Sequence, residues 1–481
     1  TLARALAGRR TRVCLVEAGG LEYDAVGQAL YEGENTGLGY STVTTRQRFF
    51  GGSSNHWGGY CRPLDAIDFD QRDWVPHSGW PFGIGELEPW YPEATSLVEV
   101  APGHYDDADY WQAATGEPLP APPGGRLRLQ FVHFSPPTHF GTRYRDDLKT
   151  AENIQVLLNA NVTRISATPD AGRVRQLEIR TLTGLSHRVK AKTYVLATGG
   201  LENARLLLLS NDVVAAGLGN HHDQVGRYFM EHPHLSNFAD LVAADLARVP
   251  KILRERLIVQ GRPAQAAFNP APAFLREQRL LNATFMVALA DTYPADASPA
   301  TEDARTRANR DMLLAARRFL TDDPSPGPVA PGFRLGVGGS CEQAPNPDSR
   351  VSLSAQRDAL GLARLKLDWR LTDQDRTSFY THLRSLALEF GALGIGRLRE
   401  TIADQSEWPQ PLDGGSHHMG TTRISDDPSR GVVDRNGKVH DIDNLYVAGS
   451  SVFPTSGSAN PTLTLVALTL RLADHLKEVI K

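Results

Sequence analysis

The chain has 481 residues, 41% of them hydrophobic and 22% charged, with a formal net charge of −4. This is ordinary globular composition and is long enough for two or three domains around a large core. The charge argues against a general affinity for nucleic acid or anionic membrane, and no run of eighteen apolar residues suggests a membrane span.

Thr1 to Gly8 reads as the middle of a helix without a cap. Arg12 to Glu17 reads as a strand ending in an acid. In a dinucleotide fold the order is strand, Gly-rich turn, helix, strand, acid, so the chain is expected to begin after the first strand and its turn. Any leader would lie ahead of Thr1, so the compartment stays open: cytoplasm by default, periplasm as the alternative. Glu17 sits where a carboxylate accepts hydrogen bonds from the ribose of an adenosine, with a solvated loop acid as the competing reading. Cys14, Cys61 and Cys341 are too far apart in sequence to read as a zinc site or a disulfide framework.

Further on, Gly51-Gly52 and Gly58-Gly59 bracket Ser53, Ser54, Asn55, His56 and Trp57. Paired glycines let backbone approach a flat or phosphorylated ligand closely. A helix is expected over about 87–98, and the Pro- and Gly-rich stretch 102–126 reads as an excursion. Ile154 to Leu158 and Asn161 to Ile165 alternate like two paired strands. Thr193 to Ala197 reads as a buried strand that runs through Gly199-Gly200 into a helix, Leu201 to Leu209, with Asn203 in a structural role. His232 and His234, beside Glu231, have the spacing of metal ligands. Pro233 between them and the lack of a third ligand nearby argue against it, so no metal is expected.

The Pro- and Ala-rich stretches near 292–304 and 322–332 read as mobile surface segments. Arg350 to Ser354 and Leu365 to Leu371 alternate as strands. Thr372 caps a helix whose stripe of Phe379, Leu383, Leu386 and Phe390 reads as core. An antiparallel sheet backed by that helix is the expected result. The last segment carries the densest signal. His417-His418 precedes Gly420-Thr421, and Leu445 to Ala448 reads as a buried strand ending in Gly449 and Ser450. Asn460 then reads as the N-cap and Pro461 as the first position of a long apolar helix, whose N-terminus suits an anion.

Two of these runs, Gly-Gly-Ser-Ser-Asn-His-Trp-Gly-Gly from Gly51 and the segment from Ser416 onward, resemble the signatures of the glucose–methanol–choline (GMC) flavoprotein oxidoreductases. The His three residues before Gly-Thr and the Asn ahead of the last helix are similar to the His/Asn type in that family. The resemblance covers most of the chain except its start and about 235–400. It implies an α/β (α+β overall) fold: a Rossmann-like FAD-binding domain with a parallel sheet, plus a substrate domain of antiparallel sheet backed by helices. The implied division is 1–234 for FAD, 235–410 mainly for substrate, and 411–481 returning to the FAD-binding domain.

The resemblance further implies FAD-dependent oxidation of an alcohol CH–OH group to a carbonyl, a sugar or polyol first among substrates. His417 is the implied base, Asn460 its partner, and flavin N5 the hydride acceptor. The implied cofactor contacts are Glu17, Gly51, Gly52, Ser53, Asn55, His56, Trp57, Gly58, Val162, Ala197, Gly199, Gly449, Ser450, Asn460, Pro461 and Thr462. His56 stands where some members link the flavin covalently, and attachment here stays open. The electron acceptor, whether oxygen, a quinone or a redox protein, also stays open. So do three alternatives: a non-sugar alcohol or sterol as substrate, a lyase on the same fold, and a flavin-binding relative without turnover.

Overall fold

The computed structural model describes residues 1–293, 332–400 and 405–480. The stretches expected to be mobile therefore fall largely outside the described residues.

Two pairs of short parallel strands join distant parts of the chain. Val13–Val16 pairs with Ile154–Leu157, and Tyr194–Leu196 pairs with Leu445–Val447. Parallel strands need crossover connections, which the long intervening segments supply. The expected pairing of 154–158 with 161–165 does not form. Asn159 takes a positive φ of 55°, and the chain turns there. Ile154–Leu157 is then taken by the opening strand, while Asn161–Ala167 pairs with Val174–Arg180 in a separate three-stranded antiparallel sheet.

Among the described residues the largest sheet has nine strands, with Pro233–Ala243, Gly332–Cys341, Ala283–Tyr293, Arg262–Pro270 and Leu127–Phe134 as neighbours through its middle. Helix Asp373–Ala392 backs it. Thr372 caps that helix, as expected, and does so in a capping box with Asp375. Phe379, Leu383, Leu386 and Phe390 are fully buried. Phe379 meets Phe238 edge-on and Phe390 meets Phe268, with ring centroids 5.1 and 4.9 Å apart. One expectation divides here. Arg350–Arg357 and Ala363–Asp368 do pair with each other, but they join Gly33–Asn35 in another sheet. Their Val351, Leu365 and Leu367 pack into the core around the parallel pairs, not under the helix that follows them.

The final helix, Thr462–Val479, is amphipathic. Leu463, Val466, Ala467 and Leu470 face Tyr91–Leu97 and Trp57. This i, i+3, i+4 spacing is what buries one helical stripe. Among the described residues no helix is long and apolar enough to cross a membrane.

Candidate active site

The site forms where two distant segments run antiparallel. Met230 and Met419 exchange backbone hydrogen bonds of 3.0 Å in both directions. Pro233 faces Gly414 and Leu235 faces Leu412. Between these anchors the chain from Gly415 to His418 loops out, and Ser416 adopts φ 60°. The pairing brings His232 and His234 beside His417.

Glu231 holds this loop. One carboxylate oxygen accepts three backbone N–H bonds, from Gly415 and His417 at 3.0 Å and from His232 at 3.1 Å. The other accepts a short hydrogen bond from the Tyr40 hydroxyl. Burial raises the Glu231 carboxyl and these four donors oppose it, which leaves it at about 7. The Tyr40 proton is committed to Glu231, so the contact of 2.8 Å between Tyr40 and His418 Nε2 requires His418 to donate. Burial holds His418 down to about 3, so its ring is neutral. His418 is thus a packed element of the scaffold, and its carbonyl accepts from Ser450 Oγ at 2.7 Å.

His417 faces the other way, as adjacent residues on an extended chain do. Its two ring nitrogens have different partners. Nε2 lies 3.0 Å from the Asn460 amide nitrogen, and Nδ1 lies 3.0 Å from His232 Nδ1. His232 Nε2 in turn lies 3.3 Å from the carbonyl of Ser456. That carbonyl only accepts, so His232 carries its proton on Nε2, and its Nδ1 accepts. His417 Nδ1 must then be the donor. This leaves a lone pair on His417 Nε2, facing Asn460. The chain of bonds runs one way, from Asn460 Nδ2 through both imidazoles to Ser456. It requires both rings to be neutral. Burial lowers His232 to about 4. Burial first, then the neighbouring His232, His234 and His418, holds His417 well below 6.5.

Asn460 corrects one expectation. Its side chain makes no helix cap. The final helix starts at Thr462 with Pro461 as the cap residue and no side-chain cap bond. The Asn460 amide is given to His417 instead.

The expected cofactor contacts lie at several places. Glu17 ends the opening strand, where its carboxylate accepts from Gly19 N–H at 2.8 Å and burial raises its pKa. Ala160 N–H donates to the Glu17 carbonyl at 2.9 Å, which places Val162 just beyond the same strand end. Ala197 and Gly199 follow one strand of the second parallel pair, and Gly449 and Ser450 follow the other. Buried Asn203 ties these two turns together, accepting from Thr198 N–H at 2.9 Å and donating to Ser451 Oγ at 2.9 Å. Gly199 and Gly449 take φ of 87° and 111°, and an added Cβ would meet nothing within 4 Å at either. Both turns therefore face open space.

In the Gly51 to Gly58 run, Gly52–Asn55 forms a single 3-10 turn. Gly51 is required to be glycine, because its φ is 101° and a Cβ would fall 2.6 Å from the Gly141 nitrogen. Ser53 is exposed on that turn. The Asn55 amide donates to Phe50 O at 3.1 Å, and Trp57 Nε1 to Thr138 O at 3.0 Å, so both are engaged within the protein. His56 is exposed, 3.0 Å from the Gln47 amide, and close enough to His418 to lower its pKa.

The structure thus brings His417 and Asn460 into contact and groups Glu17 with Val162 and Gly199 with Gly449. Sequence reasoning missed Glu231 and Tyr40. It set His232 and His234 aside for want of a third ligand nearby, yet His417 lies beside both. The available signal was three ionisable side chains within four residues, Glu231, His232 and His234, at the entry to the strand Pro233–Ala243.

A family model described as GMC oxidoreductase matches residues 345–469. The 6'''-hydroxyparomomycin C oxidase of Streptomyces lividus is 27% identical, with 92% of this chain and 82% of that protein covered. Paromamine 6'-oxidase of Streptomyces fradiae is also 27% identical, over 88% of this chain and 77% of that one. Among solved structures, pyridoxine 4-oxidase from Mesorbium loti superposes with a TM-score of 0.57 at 18% identity, covering 99% of this chain and 96% of that chain. That likeness establishes the fold.

Proposed function

The chain belongs to the GMC oxidoreductases, and from that premise we propose that it oxidises a CH–OH group of a sugar or polyol to a carbonyl, with FAD as its cofactor. The observation that carries this reading is the neutral His417 with its Nε2 lone pair held against the Asn460 amide.

The residues fit FAD. Gly199 and Gly449 turn open backbone outward from the ends of paired parallel strands. Arg48 Nε is buried without a partner in the neighbourhood of Glu17. Such an orphan donor beside an acid suits a ribose and its phosphate. Glu17 and Val162 would hold the adenosine, and Ala197, Gly199, Gly449 and Ser450 the phosphate-bearing chain. The turn from Gly51 through Ser53, Asn55, His56, Trp57 and Gly58 would cover the flavin ring, with Pro461 and Thr462 bringing the helix N-terminus to it. We assign 1–234 and 411–481 to this cofactor half and 235–410 mainly to substrate.

When bound, FAD supplies the acceptor for the substrate's hydride. The protein's part is to take the hydroxyl proton. His417 Nε2 accepts it, and the imidazolium is then stabilised through Nδ1–H donation to His232. The Asn460 amide orients the hydroxyl oxygen next to Nε2. Glu231 and Tyr40 fix the loop, so the lone pair is held in place before substrate arrives. The sugar or polyol class rests on the relatives' names, which give paromamine, fructose and a C-glycoside as what they act on.

The test is anaerobic addition of sugars and polyols to the flavin-loaded protein, followed by visible absorption. Bleaching by at least one sugar or polyol is expected. Bleaching by simple or sterol alcohols alone would overturn the substrate class, and bleaching by no alcohol would overturn the reaction.

A further inference from the structure

The three histidines at the base have a geometry that proton transfer alone does not need. His232, His234 and His417 each bring a ring nitrogen within 4.8 Å of the other two. The His232 and His417 Nδ1 atoms are 3.0 Å apart. Two imidazole nitrogens on one tetrahedral zinc ion stand about 3.4 Å apart, given bonds of about 2.0–2.1 Å. His234 Nε2 is buried and has no hydrogen-bond partner. The space between His234 Nε2 and His417 Nδ1 is kept clear by Gly415, where an added Cβ would come within 2.6 Å of one and 2.5 Å of the other. His232 donates its other ring N–H to the Ser456 carbonyl, the outer support that metal-bound imidazoles ordinarily have. Glu231 is not a ligand, because its oxygens are taken by Tyr40 and three backbone N–H groups.

We propose that His232, His234 and His417 form a three-imidazole site for a divalent transition-metal ion such as zinc or cobalt, and that filling it switches off the base. The inhibitory half rests on His417 as base; the binding half does not. Three imidazoles select zinc, cobalt, nickel or copper over magnesium and calcium, which prefer oxygen ligands. His232 binds through the lone pair it already has on Nδ1. His417 must free Nδ1, so its proton moves to Nε2 of the same ring. No proton leaves the site, and Asn460 turns its amide to offer oxygen to the new N–H. The Nε2 lone pair, which takes the substrate proton, is gone. The fourth position on the ion is left to water or to the substrate hydroxyl.

The experiment uses the flavin-loaded protein and Zn²⁺, read by calorimetry and by the rate of anaerobic flavin bleaching with a reactive sugar. One Zn²⁺ per chain is expected, with bleaching slowed at least tenfold, restored by EDTA and unaffected by Mg²⁺. His234→Ala should weaken Zn²⁺ binding at least tenfold, and His234→Gln provides a second variant if the first misfolds. Anomalous scattering at the zinc edge should place the ion among the three rings. Equal Zn²⁺ affinity in the wild type and a folded His234 variant, or no binding at all, would overturn the site. Binding that depends on His234 but leaves bleaching unchanged would uphold the site and overturn His417 as base.

Discussion

Around His417 the polar atoms, His234 Nε2 excepted, are engaged within the protein, whereas around Gly199 and Gly449 the backbone faces open space. Glu231 accepts four hydrogen bonds and His232 has a partner at each ring nitrogen. At the two glycine turns a Cβ would touch nothing within 4 Å. The difference matches the two tasks proposed for these residues. A base must hold one tautomer in one place, so its supports come from the protein. A cofactor cradle must admit a large group, so its contacts are left for that group to make. Damage at the first end should therefore cost rate, and damage at the second should cost cofactor.

The largest effect expected from any single change is on rate. His417→Ala removes the proposed proton acceptor, and general-base catalysis contributes about 10²–10⁴-fold. Anaerobic flavin bleaching by substrate should slow by about that factor with flavin content unchanged. If flavin is lost with the rate, the two ends are not separate. Next comes the scaffold. Glu231→Ala strands three backbone N–H groups in a buried loop, at about 1–3 kcal/mol for each unsatisfied donor. A fall in Tm of about 5 °C or more is expected by differential scanning calorimetry. Glu231→Gln keeps an acceptor oxygen and should recover part of that loss. A Tm unchanged by Glu231→Ala would mean that the loop is held elsewhere.

At the open end, Gly449→Val combines a strained backbone at φ 111° with a side chain placed in the expected phosphate path. The variant should purify with less flavin, and added FAD should raise its Tm less than it raises that of the wild type. The His417 relay is expected to survive, so whatever fraction holds flavin should bleach near the normal rate. Equal flavin content in both proteins would show that the open turn does not face the cofactor.

How much of this was legible in the sequence follows from the range of each interaction. His417 before Gly420-Thr421, the turn at Gly449 and the cap at Thr372 are local patterns; the structure has the Thr372 cap, and Gly449 follows the strand Leu445–Val447 at a positive φ. Asn460 was also read as a helix cap, and that reading is corrected. A cap is a local bond, while its true partner lies 43 residues away. Glu231 and Tyr40 were missed because they meet across 191 residues. The strand Ile154–Leu157 went to the wrong partner for the same reason, since a parallel match to Val13–Val16 leaves no turn signal between the two. The helix from Asp373 shows the limit differently. Its apolar stripe identifies a buried face but does not say which sheet covers it.

The smallest effect, and the sharpest test of the relay, is a shift in pH dependence. His417 must be neutral to accept a proton, and burial with its histidine neighbours holds its pKa well below 6.5. The bleaching rate should therefore remain flat as pH falls through 6.5 and decline only at lower pH. Asn460→Asp places a carboxylate 3.0 Å or so from Nε2 in place of the amide. An opposite charge at that range favours the imidazolium and raises its pKa, commonly by about 1–3 units. The acid limb of the rate should then move to higher pH, while a substitution that merely loosened the site would lower the rate at every pH alike. A carboxylate that slows the reaction without moving the limb would mean that Nε2 of His417 is not the atom that takes the proton.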